Sequence, residues 1–259
     1  MTPYEQFKRE CSQEIAELRA DRELAVATRA WMDRANARKY SYHFEYLGRP
    51  IIQYPQDTVA VQELIWSVRP DLIFETGIAH GGSLILSASM LALLDMSDAI
   101  ESGETFDPKK AKRRVLAVDI DIRAHNRAAI EAHPMSHRID MIEGSSTAPE
   151  VIERVHATAA DFGKVLVCLD SNHTHEHVLA ELRAYAPLVS KGSYCVVMDT
   201  VIEDLPEEAF PDRPWGRGDN PKTAVKQYLK ENGDFVIDHD IDGKTLITVA
   251  PDGYLKRIR

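Results

Sequence analysis

The run VLVCLD, residues 165–170, ends on an aspartate, and three histidines follow it closely, His173, His175 and His177 (SNHTHEH, 171–177). A carboxylate at the carboxyl end of a strand lies where open parallel sheets collect their ligands. A second apolar run, SYCVVMD (193–199), ends on Asp199, so two carboxylates are expected on neighbouring strand ends. Such a pair suits a hard divalent cation such as Mg²⁺, with waters and substrate oxygens filling the remaining positions. An ion there would lower the pKa of a bound hydroxyl. His173 falls in the loop or first helical turn after Asp170 and can face the same cleft. An imidazole is suited to taking a proton from a hydroxyl. A structural first-turn role and metal ligation are the other readings of His173. Helical geometry resists closing H-x-H-x-H around one zinc ion, and no H-E-x-x-H pattern is present. His175 and His177 are therefore expected at the surface or in packing.

A second cluster precedes this one. FETGIAHGGS (74–83) stands between a short apolar run and a long helical pattern, with Glu75 ahead of Gly77, Gly81 and Gly82. Glycines let backbone approach a ligand closely, and the helix N-terminus favours electron-rich groups. The spacing is neither G-x-G-x-x-G nor a P-loop. In S-adenosylmethionine enzymes an acid in the place of Glu75 receives the amino-acid end of the ligand, and glycine backbone abuts its sulfonium and ribose. His80 and Ser83 belong to the same loop. A tight turn that needs glycine for sterics alone is the competing reading. In VDIDI (118–122) Asp119 can accept both hydroxyls of a nucleoside ribose, whichever nucleoside that is. Asp121 is expected to cap the next helix. EGSS (143–146), with Ser145, could border an adenine.

These residues need a scaffold, and the pattern supplies one. Strand-like runs at 71–75, 114–120, 138–144, 164–170 and 193–199 alternate with helical stretches at 83–95, 123–133, 149–160 and 175–189. Near-continuous apolar strands between helices imply a parallel sheet covered on both faces. Thr147-Ala-Pro-Glu150 reads as a capping box, and 97–113 as a polar surface insertion. After a helix at 220–233, DFVIDHDIDGKTLITVA reads as two strands around an Asp-Gly turn. Residues 4–35 carry one or two amphipathic helices. YSYHFEYLGRPIIQYPQD (40–57) reads as an irregular packed segment, with Asp57 as the N-cap of the helix that follows. Residues 1–56 are expected as an N-terminal helical and aromatic extension, and 57–259 as the catalytic domain.

Composition narrows the function. At 259 residues, 44% hydrophobic and 28% charged, the chain fits an ordinary globular protein with no apolar run of transmembrane length. A net charge of −10 argues against nucleic acid as a partner. Three cysteines make no disulfide framework, and a cytoplasmic protein without membrane attachment is expected.

Taken together, the aromatic 40–57 segment, ETGIAHGGS, LDSNHTHEHVLAEL, Asp199-Thr200, RPWGRGDNPKTAVKQYL and the final PDGYL resemble the cephalosporin hydroxylase/rhamnosyl O-methyltransferase family. The resemblance implies an α/β, Rossmann-like class I methyltransferase fold: a seven-stranded, mostly parallel sheet with a C-terminal antiparallel hairpin. It also implies S-adenosylmethionine as donor, Mg²⁺ in many members, and a deoxysugar hydroxyl as acceptor. By position, Asp170 would be a metal ligand, His173 the general base and Asp199 a second ligand. Sugar-methylating relatives carry two adjacent acids at the end of the fifth strand, whereas this chain has Met198-Asp199-Thr200. A thioether is a poor magnesium ligand, so Thr200, Glu203 or Asp204 is expected to replace the missing acid. The loop 199–221 is expected to overhang the site, with Trp215 as a cover. Tyr42, His43, Gln53 and Asp57 are expected at the acceptor wall. The N-terminal helices and aromatic segment are expected to support a homo-oligomer. An NAD-dependent oxidoreductase and a non-catalytic nucleoside-binding partner subunit are the alternatives.

Overall fold

The computed structural model describes residues 1–209 and 211–259; Phe210, within the expected 199–221 loop, lies outside them. Leu72–Thr76 (β3) is buried at every position and so forms the middle of the sheet. It pairs in parallel with Arg114–Asp119 (β4) on one side and Val165–Leu169 (β6) on the other. Ile139–Glu143 (β5) extends the β4 side, and Tyr194–Val197 (β7) the β6 side. Tyr254–Arg257 (β9) runs antiparallel to β7, and Phe235–Ile237 (β8) antiparallel to β9 at the edge. The order is β5-β4-β3-β6-β7-β9-β8, which is the expected seven-stranded, mostly parallel sheet. Strand order reverses between β3 and β6, so the crevice over their carboxyl ends is where a ligand belongs.

Helices cover both faces. Pro55–Val68 (α3) and Gly82–Ser102 (α4) pack through Leu64, Ile65, Leu84 and Leu91 against one face. Pro149–Ala159 (α6), His175–Tyr185 (α7) and Pro221–Glu231 (α8) pack through Val155, Leu182 and Val225 against the other. Ala124–Glu131 (α5) follows β4 and buries Ile130.

Five local expectations are corrected. First, α4 continues to Ser102 and ends on Gly103 at φ 72°, so the first six residues of the supposed 97–113 loop are helix. By length and composition α4 could cross a membrane; its residues Leu84 to Leu91 are instead core. Second, residues 44–51 are not irregular. Phe44–Tyr46 (β1) and Arg49–Ile51 (β2) form a hairpin whose tip, Leu47 and Gly48, has positive φ at both residues, as a two-residue primed turn requires. Third, the capping box at Thr147 does not form: Ala148 is the N-cap of α6, and Thr147 pairs with Ser145. Fourth, neither expected aspartate caps its helix. Arg123 precedes α5, while Tyr54 is the N-cap of α3 and Asp57 lies inside that helix.

Fifth, the Asp242-Gly243 turn is absent. Gly243 lies in a helix, His239–Thr245 (α9), capped by Asp238, and the closing strand is β9 rather than TLITVA. The N-terminal helix Pro3–Ala20 (α1) explains the glycine, since a Cβ on Gly243 would stand 2.9 Å from the Ile15 carbonyl oxygen. The TLITVA segment is held by Asp57. Its carboxylate accepts from the Thr248 hydroxyl, from Val249 N at 2.9 Å and from the Tyr254 hydroxyl at 3.0 Å.

Candidate active site

In-register pairing of β3 with β4 and β6 brings their carboxyl ends to one level, and backbone bonds carry the chain across it. Gly77 N donates to the Val118 carbonyl at 2.8 Å, Asp170 N to the Thr76 carbonyl at 2.9 Å, and Met198 N to the Leu169 carbonyl at 3.0 Å. Glu75, Asp119, Asp170 and Asp199 therefore stand at or just beyond the carboxyl ends of neighbouring strands.

The protein itself demands the glycines of the loop. A Cβ on Gly77, at φ +87°, would fall 2.0 Å from the Asp170 carbonyl oxygen. One on Gly82 would fall 2.3 Å from the Pro50 carbonyl oxygen. Sterics thus account for these positions, and the same close packing leaves a shallow groove along the loop. It is lined by 50–53, 77–83 and Asp170. Gly81 and Ser83 open α4 there, and His80 is half-buried.

The loop is braced from two sides. Asp119 accepts from Ile78 N at 2.7 Å, and its other oxygen accepts from Asp121 N at 3.1 Å. Arg49 donates to the His80 carbonyl through Nε at 2.9 Å and Nη2 at 2.6 Å, while Asn126 donates to the Ala79 carbonyl at 2.8 Å. Sequence reasoning missed Arg49 and Asn126, since a lone arginine in an unrecognised strand and an asparagine in a helix carry no motif.

Below the groove lies a small cavity lined by Gln53, Glu75, Ser83, Cys168, Asp170 and Met198. Glu75 is 3% exposed and accepts from the Ser83 hydroxyl; burial outweighs that bond and pushes its carboxyl up to about 7. Asp170 is pushed well above the ordinary carboxylate range by burial, then by the charge of Asp199 and of Glu75. Gln53 is buried, and its Oε1 has no hydrogen-bond partner among the described residues. The structure thus places Gln53 beside the loop and Glu75.

Across the mouth of the crevice, Asp170, His173 and Asp199 bring one ligand atom each within 4.8 Å of one another. His173 Nε2 is 3.3 Å from Asp199 Oδ2. Asp199 holds φ 55°, a left-handed conformation costly for a non-glycine residue, which turns the chain at the end of β7. Trp215 meets the His173 ring edge-on, with centroids 4.8 Å apart, and the Arg213 guanidinium lies 5.2 Å from the Trp215 ring centre. This donor set fits a divalent cation. The charges acting on Asp170 are carboxylates that all raise its pKa, and a cation would relieve them.

Other expected site residues lie elsewhere or are engaged. Thr200 is fully buried and donates to the Pro251 carbonyl at 2.6 Å, which removes it from the metal cluster. Glu203 accepts from Gly218 N, and Asp204 from Lys222 Nζ at 2.6 Å, so neither stands in for the missing acid. Asp57 is fully buried with both oxygens bonded, which leaves it no face for an acceptor. Tyr42 and His43 are exposed and line neither cavity. Ser145 is half-buried against Thr147. His175 bridges α7 to α8, with Nδ1 2.8 Å from Thr223 Oγ1 and Nε2 2.9 Å from Gln227 Oε1. His177 stands 3.0 Å from Ser146 Oγ and 3.4 Å from Glu181. Both are packing residues.

Comparison with known proteins gives a consistent picture. A family model described as rhamnosyl O-methyltransferase/CmcI matches residues 38–258, taking in the β1–β2 hairpin and the whole sheet. Rhamnosyl O-methyltransferase of Mycobacterium tuberculosis is 31% identical over 215 residues, 82% of this chain and 77% of that protein. The enzyme of the same name from Mycobacterium leprae is 30% identical over 216 residues, 82% of each chain. Among solved structures, the apo form of CmcI-N160 superposes with a TM-score of 0.53 at 16% identity, covering 84% of this chain and 77% of that one. CmcI-D160 with Mg and SAM gives 0.53 at 17% identity, covering 84% and 78%. At these identities the structural likeness speaks for the fold.

Proposed function

Because the chain belongs to the rhamnosyl O-methyltransferase/CmcI family, we propose that it moves a methyl group from S-adenosylmethionine to a hydroxyl of a sugar or sugar-bearing acceptor. The observation that carries this reading is the convergence of Asp170, His173 and Asp199 at the mouth of a crevice floored by the glycine loop.

The donor supplies an electrophilic methyl, and the residues of this chain hold it. Glu75 faces its ammonium, the 77–83 backbone follows its amino-acid and ribose portions, and Asp119 meets the ribose at the cost of its bonds to the loop. The acceptor lies over the ends of β6 and β7. Its hydroxyl gives its proton to an imidazole nitrogen of His173 as the oxygen–methyl bond forms and the sulfur–methyl bond breaks, leaving S-adenosylhomocysteine. In-line approach supplies most of the acceleration. His173 adds a base held against Asp199, and Trp215 shields that pair from water. Asp170 and Asp199 would hold Mg²⁺, which supplies orientation and polarisation of acceptor oxygens.

A second reading, with His173 as a third ligand, is favoured by the same 4.8 Å cluster. One experiment separates the two. With His173 as base, His173→Ala keeps its Mg²⁺ affinity and loses turnover; with His173 as ligand, both fall together. The acceptor class is tested by incubating the protein with S-adenosylmethionine and a panel of deoxysugar glycosides and nucleotides. A methylated sugar with equimolar S-adenosylhomocysteine is the expected product, and transfer only to non-sugar hydroxyls would overturn it.

A further inference from the structure

The cavity under the glycine loop has an unusual balance of polar atoms. Glu75 and Asp170 present carboxylates to it, and Gln53 presents an amide. Among the described residues, no lysine, arginine or histidine lines it. Gln53 is 5% exposed, and its Oε1 is buried without a hydrogen-bond partner among the described residues. A buried carbonyl oxygen left unpaired costs free energy, and native proteins seldom tolerate one without a reason. The same residue borders the groove along the loop, so its amide stands where cavity and groove meet. The backbone holds it there: Pro50 and Ile51 of β2 pack over Gly82, and α3 starts at Pro55, which leaves Gln53 in the short link between them.

Its charged walls are both carboxylates and the Gln53 oxygen adds a further acceptor, beside the Ser83 and Ser87 hydroxyls, so the cavity suits a ligand group rich in N–H donors and positively charged. A primary ammonium has three donors and no acceptor, and it is the one part of an adenosylated amino acid with that character. We infer that Gln53 is a cofactor-positioning residue whose Oε1 accepts a hydrogen bond from the ammonium of bound S-adenosylmethionine, beside Glu75. The inference rests on the methyltransferase reading and adds a contact to it. It also moves Gln53 from the expected acceptor wall to the donor side. Ser83 takes no part in this contact, because its hydroxyl is already given to Glu75.

Binding tests this without turnover. Calorimetry on the full-length chain compares S-adenosylhomocysteine, which carries the ammonium, with 5′-methylthioadenosine, which lacks the whole amino-acid end. Gln53→Leu, and Gln53→Met as a second apolar replacement of similar length, should weaken S-adenosylhomocysteine about 10- to 100-fold, the size of a lost bond to a charged group. Affinity for 5′-methylthioadenosine should be unchanged. The ligand-free variants should melt no lower than the parent, since the replaced oxygen has no partner to lose. Equal weakening of both nucleosides, or of neither, would overturn the inference, as would a variant that loses Mg²⁺ while keeping S-adenosylhomocysteine. Failure of the unaltered protein to bind S-adenosylhomocysteine is a different result, since it removes the methyltransferase reading itself.

Discussion

His173 and Asp199 face each other across 3.3 Å, although they arise from different elements. One stands in the link after β6 and the other one residue past Met198, on a backbone turned into the left-handed region. That turn swings the Asp199 carboxylate toward the imidazole. Asp170 supplies the third atom of the cluster.

From this arrangement His173→Ala is expected to lower turnover by about 10²- to 10⁴-fold, the range of a lost general base. Affinity for S-adenosylhomocysteine should stay within about two-fold, because His173 lines neither the groove nor the cavity. Steady-state kinetics paired with calorimetry makes the comparison. A matched loss of both would assign His173 to binding.

Glu75 is held up at about 7 by burial, against an ordinary 4.5. The sign follows directly. A carboxyl raised in the folded state contributes stability below its unfolded pKa and loses it as pH rises through 7. Glu75→Gln should therefore stabilise the ligand-free protein at pH 8 by up to about 3 kcal/mol, with no gain at pH 4. Urea unfolding at the two pH values checks this.

Binding should pull the other way. An ammonium beside Glu75 favours its charged form, so S-adenosylhomocysteine should bind more weakly as pH falls below 7. Proton release on binding is then expected near pH 6.5. Calorimetry in buffers of different ionisation enthalpy measures that release, and proton uptake would contradict the placement of Glu75.

Gly77→Ala is expected to cost about 2 kcal/mol or more and to abolish cofactor binding. Its Cβ would collide with the Asp170 carbonyl, which is backbone and cannot swing aside. Thermal melting reports the first effect and nucleoside titration the second. A variant as stable as the parent would mean the loop can relax away from β6.

Much of the sheet was legible because its cause is local. Apolar runs such as DLIFE and VLVCLD have few alternatives once helices separate them, and each carries its acid at the carboxyl end. What failed depended on distant partners. Asp57 read as a helix cap, yet its bonds go to Thr248, Val249 and Tyr254, almost two hundred residues onward. Asp242-Gly243 read as a turn, and only the approach of α1 shows why a helix needs glycine there. Thr200 read as a ligand, yet its hydroxyl donates to the Pro251 carbonyl, fifty-one residues onward. In the site, residue types marked Asp170, His173 and Asp199. The role proposed for Gln53 has no motif behind it and starts from a buried oxygen with no partner among the described residues.

Asp170 with Asp199 should make the reaction depend on a divalent ion. EDTA should suppress methyl transfer, Mg²⁺ should restore it, and Asp199→Asn should need far more Mg²⁺ for the same rate. Activity indifferent to chelation would remove the ion from the account.

The claim beneath all of these is that the loop after β3 holds an adenosyl amino acid. Titrating S-adenosylhomocysteine and NAD separately into the protein measures it most directly. One S-adenosylhomocysteine per chain with no heat from NAD is the predicted result, and saturable NAD binding without S-adenosylhomocysteine binding would contradict it.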